Sequence, residues 1–506
     1  MFRLVRAGPP SLSLALGFLA GLYAVSLTAV TGPGLEPDSM SYVGAAESLV
    51  RQGTLRVPWT YWAEADSTAP LSDFPPAFSV AIALPLVAGV PQVQAARWVM
   101  VLGFAVAIGV FAALAGDAAG PAAAALLTGL VLATPAVVGV NTIVMSEPLF
   151  LAVLALTLQQ MVTVPERAWR YGMLASIGAL VRYAGVALIG AAGLWALAQP
   201  GDWRARLRRT MAAGLPGIAL QALWVARTDL EGGDTPHTSF DFYGGLWRTL
   251  RGGLGTVCGW LVPAVPAGVT RNGLALVIAL LLVALWRDAV RARAAEPVGP
   301  RSLLAAFGVV AACYLGVLVY SRLMVGQDIE FDARILTPVF MLAAAGVAVA
   351  VGACWRSWTR VRRLVTGTVI AAWLALALRA DAAAVGALRE GGYGYESPDW
   401  QASDFAHWLR SDAGGTRYQL FTNDPAAAYF LTGRPARLLP DGLDAESVRA
   451  FAGVMRARHG AVLGFESYFD PVAPPESLAT RLGLHEAVRF DYGVAWIPAD
   501  STERRP

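Results

Sequence analysis

Serial runs of about 17 to 20 apolar residues constrain this chain most, because each is long enough to cross the roughly 30 Å hydrocarbon layer as one α-helix. They fall near residues 12–30, 96–115, 120–138, 147–163, 211–226, 271–286, 302–321, 335–353 and 364–380. A further apolar stretch, 170–199, is too long for one upright span and is interrupted by Arg182 and Tyr183, so it divides into two short helices meeting at that pair. The fold class that follows is an α-helical polytopic membrane protein with about eleven spans. Composition agrees, with 56% of residues hydrophobic and only 15% charged, against roughly 25% charged in a soluble domain. A soluble enzyme, a disordered chain and a fibrous repeat are all excluded. The net charge is only +3 and every basic residue is arginine, so no lysine-rich surface exists for nucleic acid, which is not an expected partner. Cys258, Cys313 and Cys354 are far apart and without a neighbouring histidine, which suggests neither a disulfide framework nor a zinc site.

Arginine-rich short loops stay cytoplasmic. Arg3 with Arg6, then Arg204 to Arg209, then Arg287 to Arg293, then Arg356 to Arg363 mark four such segments, all consistent with a cytoplasmic N-terminus retained as a signal anchor. The apolar segment Phe74 to Val90 fits this count only if it lies along the outer membrane face. A competing count makes it a span and keeps 170–199 as one tilted helix, at the cost of putting Arg167 and Arg170 outside. On the first count the acidic residues gather outside. Glu36, Asp38, Glu64, Asp66 and Asp73 fall in a large first outer loop (about 31–95), Glu147 at the second, Asp229 to Asp241 in a fourth, and Asp328, Glu330 and Asp332 in the fifth.

Past residue 380 the sequence turns mixed and polar, so two domains are expected: a membrane domain, 1–380, and a soluble extracytoplasmic α/β domain, 381–506, with its own core. Tyr418 to Thr422, Ala461 to Phe465 and Val488 to Ile497 read as strands, and Ala426 to Leu431 and Ala445 to Arg458 as helices. Asn423-Asp424-Pro425 reads as a helix cap.

Five segments on the outer face carry possible chemistry. They are Glu36-Pro37-Asp38-Ser39-Met40-Ser41-Tyr42, Phe74-Pro75-Pro76-Ala77-Phe78, Ser146-Glu147-Pro148-Leu149-Phe150, Val181-Arg182-Tyr183-Ala184-Gly185 and Asp332-Ala333-Arg334-Ile335-Leu336-Thr337-Pro338. In this order they resemble the GT-C glycosyltransferases, multi-span enzymes that take a sugar from a polyprenyl-phosphate donor, and in particular bacterial relatives of the protein O-mannosyltransferases and the lipid A aminoarabinose transferase. The resemblance covers roughly 1–380. It implies that Asp38, after the first span, is the catalytic base, that Tyr42 follows it, that Pro75 and Pro76 lead a helix lying on the membrane, and that Arg334 meets the lipid phosphate. The sequence departs from the family's common Asp-Glu pair, having Asp38-Ser39 with Glu36 two residues earlier, and it has Glu147 where many relatives have aspartate.

Elementary chemistry asks for the same parts. Moving a sugar from a lipid phosphate to a hydroxyl needs a carboxylate to take the hydroxyl proton and cations to receive the leaving phosphate. Asp38 is the candidate base, though it also reads as a helix cap. Arg182 and Arg334 suit the phosphate through their planar forks. Otherwise Arg182 snorkels to the headgroups, and Arg334 staples its loop through Asp332 or Asp328. Glu147 reads equally as a helix-dipole residue and as a catalytic group that orients the acceptor or shares a divalent ion with Asp38. Tyr42, Glu36, Tyr183 and Asp332 complete the expected substrate-binding set. His237 reads as a solvated loop residue. Trp59, Tyr61 and Trp62, or Trp247 and Trp260, fit either sugar stacking or an interfacial belt.

The expected function is an inverting integral membrane glycosyltransferase of the inner (plasma) membrane, acting on a cell-envelope glycan, lipid or protein, with no required cofactor and a divalent cation left open. The rival is a secondary transporter or flippase, which would usually carry two similar halves with helices broken at matching positions. No such repeat is visible in the sequence.

Overall fold

The computed structural model describes residues 10–232, 242–291, 299–326, 329–411, 417–466 and 472–498. Asp241, His237 and Asp328 lie outside the described residues. The membrane domain begins with α1 (Pro10–Leu27). The long segment after α1 then carries α2 (Pro37–Gln52), β1 (Arg56–Val57), β2 (Trp59–Tyr61), β3 (Ala69–Pro70) and α3 (Ala77–Val87). There follow α4 (Gln92–Ala119), α5 (Pro121–Leu132), α6 (Pro135–Thr142), α7 (Glu147–Thr163), α8 (Ala168–Val181), α9 (Val186–Ala198) and α10 (Trp203–Leu230). The set closes with α11 (Leu246–Leu261), α12 (Val269–Arg291), α13 (Pro300–Met324), α14 (Ala333–Trp355) and α15 (Arg360–Gly391).

Each expected span falls largely on helix, the 120–138 run being broken between α5 and α6. Among the described residues five helices, α4, α12, α13, α14 and α15, are long and apolar enough to cross a membrane, or six if α5 and α6, bent by 69° at their junction, count as one. The others in the expected set of about eleven are shorter or, like α10, more charged. Helices α12 and α15 expose Leu276, Leu280, Leu281, Leu364 and Val365; such contiguous apolar faces need lipid around them, and the chain is a multi-pass membrane protein. Helix α3 has 11 residues, about 16 Å of rise, half of what a span requires.

The chain breaks at Arg182, as the sequence suggests. Glu147, at the start of α7, pairs with Arg182, while Trp195 of α9 donates to Met161 O near the other end of α7 at 2.7 Å. Helix α9 therefore runs back alongside α8 as a hairpin, with Gly185 seated against the backbone of Gly178, where no Cβ fits. Helix α4 packs equally closely on α7: a Cβ at Gly103 would stand 2.9 Å from the backbone at Pro148 and Leu149, so this glycine lets the start of α7 reach its place.

Helix α15 continues through residue 380 to Gly391. Asp381, buried on that helix, accepts from Tyr23 of α1 at 2.8 Å. Beyond it come α16 (Pro398–Gln401), α17 (Asp404–Arg410), β4 (Gln419–Thr422), α18 (Pro425–Thr432), β5 (Ala436–Leu438), α19 (Ala445–Ala457), β6 (Gly460–Phe465), α20 (Pro475–Arg481), β7 (His485–Phe490) and β8 (Gly493–Ile497). The expected single strand Val488 to Ile497 is thus a hairpin. Asp424 is a cap, accepting from Ala427 N–H at 2.9 Å.

The tail is not closed on itself. Its six-stranded sheet has the order β2-β5-β4-β6-β8-β7, and the edge strand β2 comes from the segment between α2 and α3, with Thr60 opposite Arg437 in parallel register. Arg437, 1% exposed, holds this junction by donating to the carbonyls of Glu64 and Asp66 at 2.7 and 2.8 Å. Tyr429 of α18 donates to Glu47 of α2. Phe405, Leu420 and Ala427 share one apolar cluster with Tyr42, Phe78 and Met100. The tail also has a cluster of its own, with Phe421, Phe451, Met455 and Trp496, so one of its apolar clusters is internal and the other shared.

Helix α10 gives a topological test. Arg227 near its C-terminus donates to Leu55 O at 3.0 Å, and Arg206 lies near the other end of its 28 residues, about 30 Å away at 1.5 Å per residue. In a cysteine-free background, single cysteines at Asp66 and Ser411 should react with an impermeant maleimide from the same side, and one at Arg206 only from the other. Labelling of 66 and 206 from one side would contradict this fold.

Candidate active site

Four charged side chains from distant parts of the chain meet where the N-termini of α2, α7 and α14 converge. Each is delivered by local chemistry. Glu36 occupies the N-cap of α2, Pro37 follows, Ser39 Oγ accepts from Glu36 N–H at 3.0 Å, and Gly53 ends the helix with φ of 72°. The cap is therefore Glu36 and Ser39, which gives the departure from the family's Asp-Glu pair a structural role and leaves Asp38 free. Asp332 caps α14 by accepting from Ile335 N–H at 2.7 Å, which sets Arg334 in the first turn. Glu147 opens α7, and Arg182 stands at the break after α8.

The segment before α2 is stitched to both neighbours. Gly34 N–H donates to Thr142 O at 2.6 Å, Val144 N–H to Gly34 O at 2.9 Å, and Tyr395 N–H to Leu35 O at 3.0 Å. Asp38 and Glu147 are thereby held on the same scaffold.

Arg334 lies between the two carboxylates, with Nη1 3.7 Å from Asp38 Oδ2 and Nε 3.7 Å from Glu147 Oε1. Its Nη1 also meets Met145 Sδ at 3.4 Å. The Glu147 side chain is 3% exposed and forms its close ion pair with Arg182. Arg182 is thus paired with Glu147, and Arg334 faces Asp38 and Glu147. Burial pushes the Asp38 carboxyl above the usual aspartate range; Arg334 opposes this, and Glu36 and Glu147 add to it.

The remaining expected residues fall around this cluster. Tyr42 is buried, its ring 4.7 Å from that of Phe74 and 4.9 Å from that of Phe78, and its hydroxyl lies 3.4 Å from Ser146 Oγ, next to Glu147. Tyr183 points elsewhere, donating to Ser72 O at 2.7 Å and accepting from Trp224 at 3.2 Å. Glu36 accepts from Tyr393 at 2.8 Å. Asp332 caps its helix and lines a separate cleft beside α11. Sequence reasoning missed Met145 and Tyr393; the second lies 357 residues from the carboxylate it serves, with no local signal to mark it. Trp62 packs on Phe451 of the tail at 5.6 Å, so that aromatic is a domain contact. Among the described residues no three His, Cys, Asp or Glu side chains gather to hold a metal ion.

The architecture resembles that of the GT-C membrane glycosyltransferases. ArnT from Cupriavidus metallidurans, in a crystal structure bound to undecaprenyl phosphate, superposes with a TM-score of 0.61 at 15% identity, over 96% of this chain and 97% of that one. Arabinofuranosyltransferase AftD from Mycobacteria superposes with a TM-score of 0.55 at 16% identity, over 98% of this chain but 40% of AftD. The sequence matches no family model and no curated protein, so the likeness is one of fold.

Proposed function

We propose that this chain is an inverting integral membrane glycosyltransferase that moves a sugar from a polyprenyl-phosphate donor to a hydroxyl of a cell-envelope glycan, lipid or protein, on the extracytoplasmic side of the inner (plasma) membrane. One observation carries the reading: a partly buried carboxylate, Asp38, faces a guanidinium, Arg334, at converging helix N-termini. The ArnT fold, known with undecaprenyl phosphate bound, supports the donor class. In the proposed step the acceptor oxygen attacks the anomeric carbon, the carbon–oxygen bond to phosphate breaks on the opposite side, and Asp38 takes the acceptor proton. The departing phosphate is received by Arg334, with Arg182 behind it. Glu147 neutralises both arginines and positions them. The reading calls for no cofactor.

Transfer from a synthetic polyprenyl-phosphate sugar by the purified full-length chain tests this, and its pH dependence tests the base. Asp38 works only when ionised, so kcat/KM should fall as pH drops through its raised pKa, with the acid limb above about 3.9, the ordinary aspartate value. Arg334→Gln removes the larger of the two arginine influences that lower this pKa, leaving that of Arg182, and should move the limb further up. A limb at or below the ordinary value would remove Asp38 from the role.

A further inference from the structure

The tail reaches the segment that carries Asp38. Leu35 lies three residues before Asp38, and the crossing at 392–397, which joins α15 to α16, holds its backbone. Gly394 pairs with Leu35 in parallel register. It has φ of 62°, and a Cβ there would fall on Leu35 O, so glycine is what permits the approach. Tyr395 N–H then donates to Leu35 O at 3.0 Å.

Tyr395 is in turn fixed from behind. Its buried hydroxyl donates to the Asp424 carboxylate, 2.8 and 2.7 Å from the two oxygens, and its ring packs against those of Trp400 and Phe430 at 5.1 and 6.1 Å. Asp424 is 3% exposed and is itself anchored, because it caps α18 through Ala427 N–H. Capping accounts for one of its bonds; the other goes to the residue whose backbone holds Leu35. A charge-assisted hydrogen bond between buried groups is strong and directional, so the start of α18 becomes a fixed point for the first turn of α2.

We infer that Tyr395 is a positioning residue for the transfer step: anchored on Asp424, it holds the segment before Asp38 so that the carboxylate stays within reach of the acceptor proton. The inference rests on Asp38 being the base. Arg334 and Arg182 are carried by α14 and by the break after α8, so loss of the anchor should slow turnover and leave donor binding in place.

The test is steady-state transfer from a synthetic polyprenyl-phosphate sugar, with heat-inactivated membranes of the protein's own cell supplying the acceptor, and amide exchange of residues 33–42 on the same full-length proteins. Tyr395→Phe removes the hydroxyl and keeps the ring. Asp424→Ser cuts the same bond from the other end with a side chain that still caps α18, which keeps the test decisive if Tyr395→Phe lowers the melting temperature. Both should lower kcat about 10-fold to 100-fold, the scale for a reacting group displaced by about 1 Å, with donor KM within about 2-fold of wild type. The double variant should lose no more than either single one. Tyr429→Phe, which cuts the tail's contact with Glu47 further along α2, should keep kcat within about 2-fold of wild type. Exchange at 33–42 should speed up in the first three variants only, and unchanged exchange in Tyr395→Phe would overturn the inference without any turnover being measured. Wild-type kcat in Tyr395→Phe or Asp424→Ser, beside an inactive Asp38→Asn, would overturn it and leave the base in place. Full turnover by Asp38→Asn would overturn the base and the inference with it. An equal loss of kcat in Tyr429→Phe would make the effect one of tail docking in general and overturn it too.

Discussion

Asp38→Asn should lower transfer by about 100-fold to 10,000-fold or more, the contribution expected of a general base, while leaving the melting temperature of the purified chain unchanged. The two halves of this expectation come from separate features. Asparagine keeps the shape of the side chain but cannot accept the acceptor proton. Stability is kept because the α2 cap is supplied by Glu36 and Ser39, so no capping interaction is lost. Had Asp38 been the cap, the same substitution would have cost about 1 kcal/mol or less with activity retained. Parallel measurement of turnover and thermal unfolding separates the two, and a well-folded variant with near-normal turnover would move attention to Glu36 and Glu147.

Glu147→Gln should act on stability as well as turnover. The carboxylate is 3% exposed, pairs with Arg182 and lies 3.7 Å from Arg334; neutralising it leaves Arg182 as a charge with little water and no carboxylate. Breaking one side of a buried pair typically costs about 3 to 5 kcal/mol. The unfolding midpoint in a denaturant titration should therefore fall well below that of Asp38→Asn. Part of the loss should return in the double variant Glu147→Gln with Arg182→Met, because the unpaired charge is then gone. A Glu147→Gln protein as stable as wild type would mean that Arg182 reaches another anion or water.

The parts of the site visible in the sequence were those that broke an apolar pattern. Arg182 interrupts a hydrophobic stretch and Glu147 opens one, and burial makes such residues conspicuous because each needs a partner; the structure pairs them with each other. Arg334 and Asp38 stood out as charges next to spans. Tyr42 and Tyr183 show why the sequence leaves an aromatic's role open: beside a charged motif it has the same spacing whether it faces a ligand or the core. The tail's edge strand was hidden for a related reason. β2 is three residues long and pairs with a strand more than 370 residues away, so no local periodicity announces it. The continuation of α15 to Gly391 went unseen because a helix that leaves the membrane turns polar without ending.

The most direct test of the donor assignment is the lipid that the protein itself retains. Asp38→Asn should hold its donor without consuming it, so organic extraction of this variant, purified as the full chain from its own membranes, should yield a polyprenyl-phosphate-linked sugar by mass spectrometry. The amount per chain should exceed that from wild type, and it should fall when Arg334→Gln is added. Recovery of the same lipids in the same amounts from all three proteins, with no polyprenyl-phosphate sugar among them, would contradict the account.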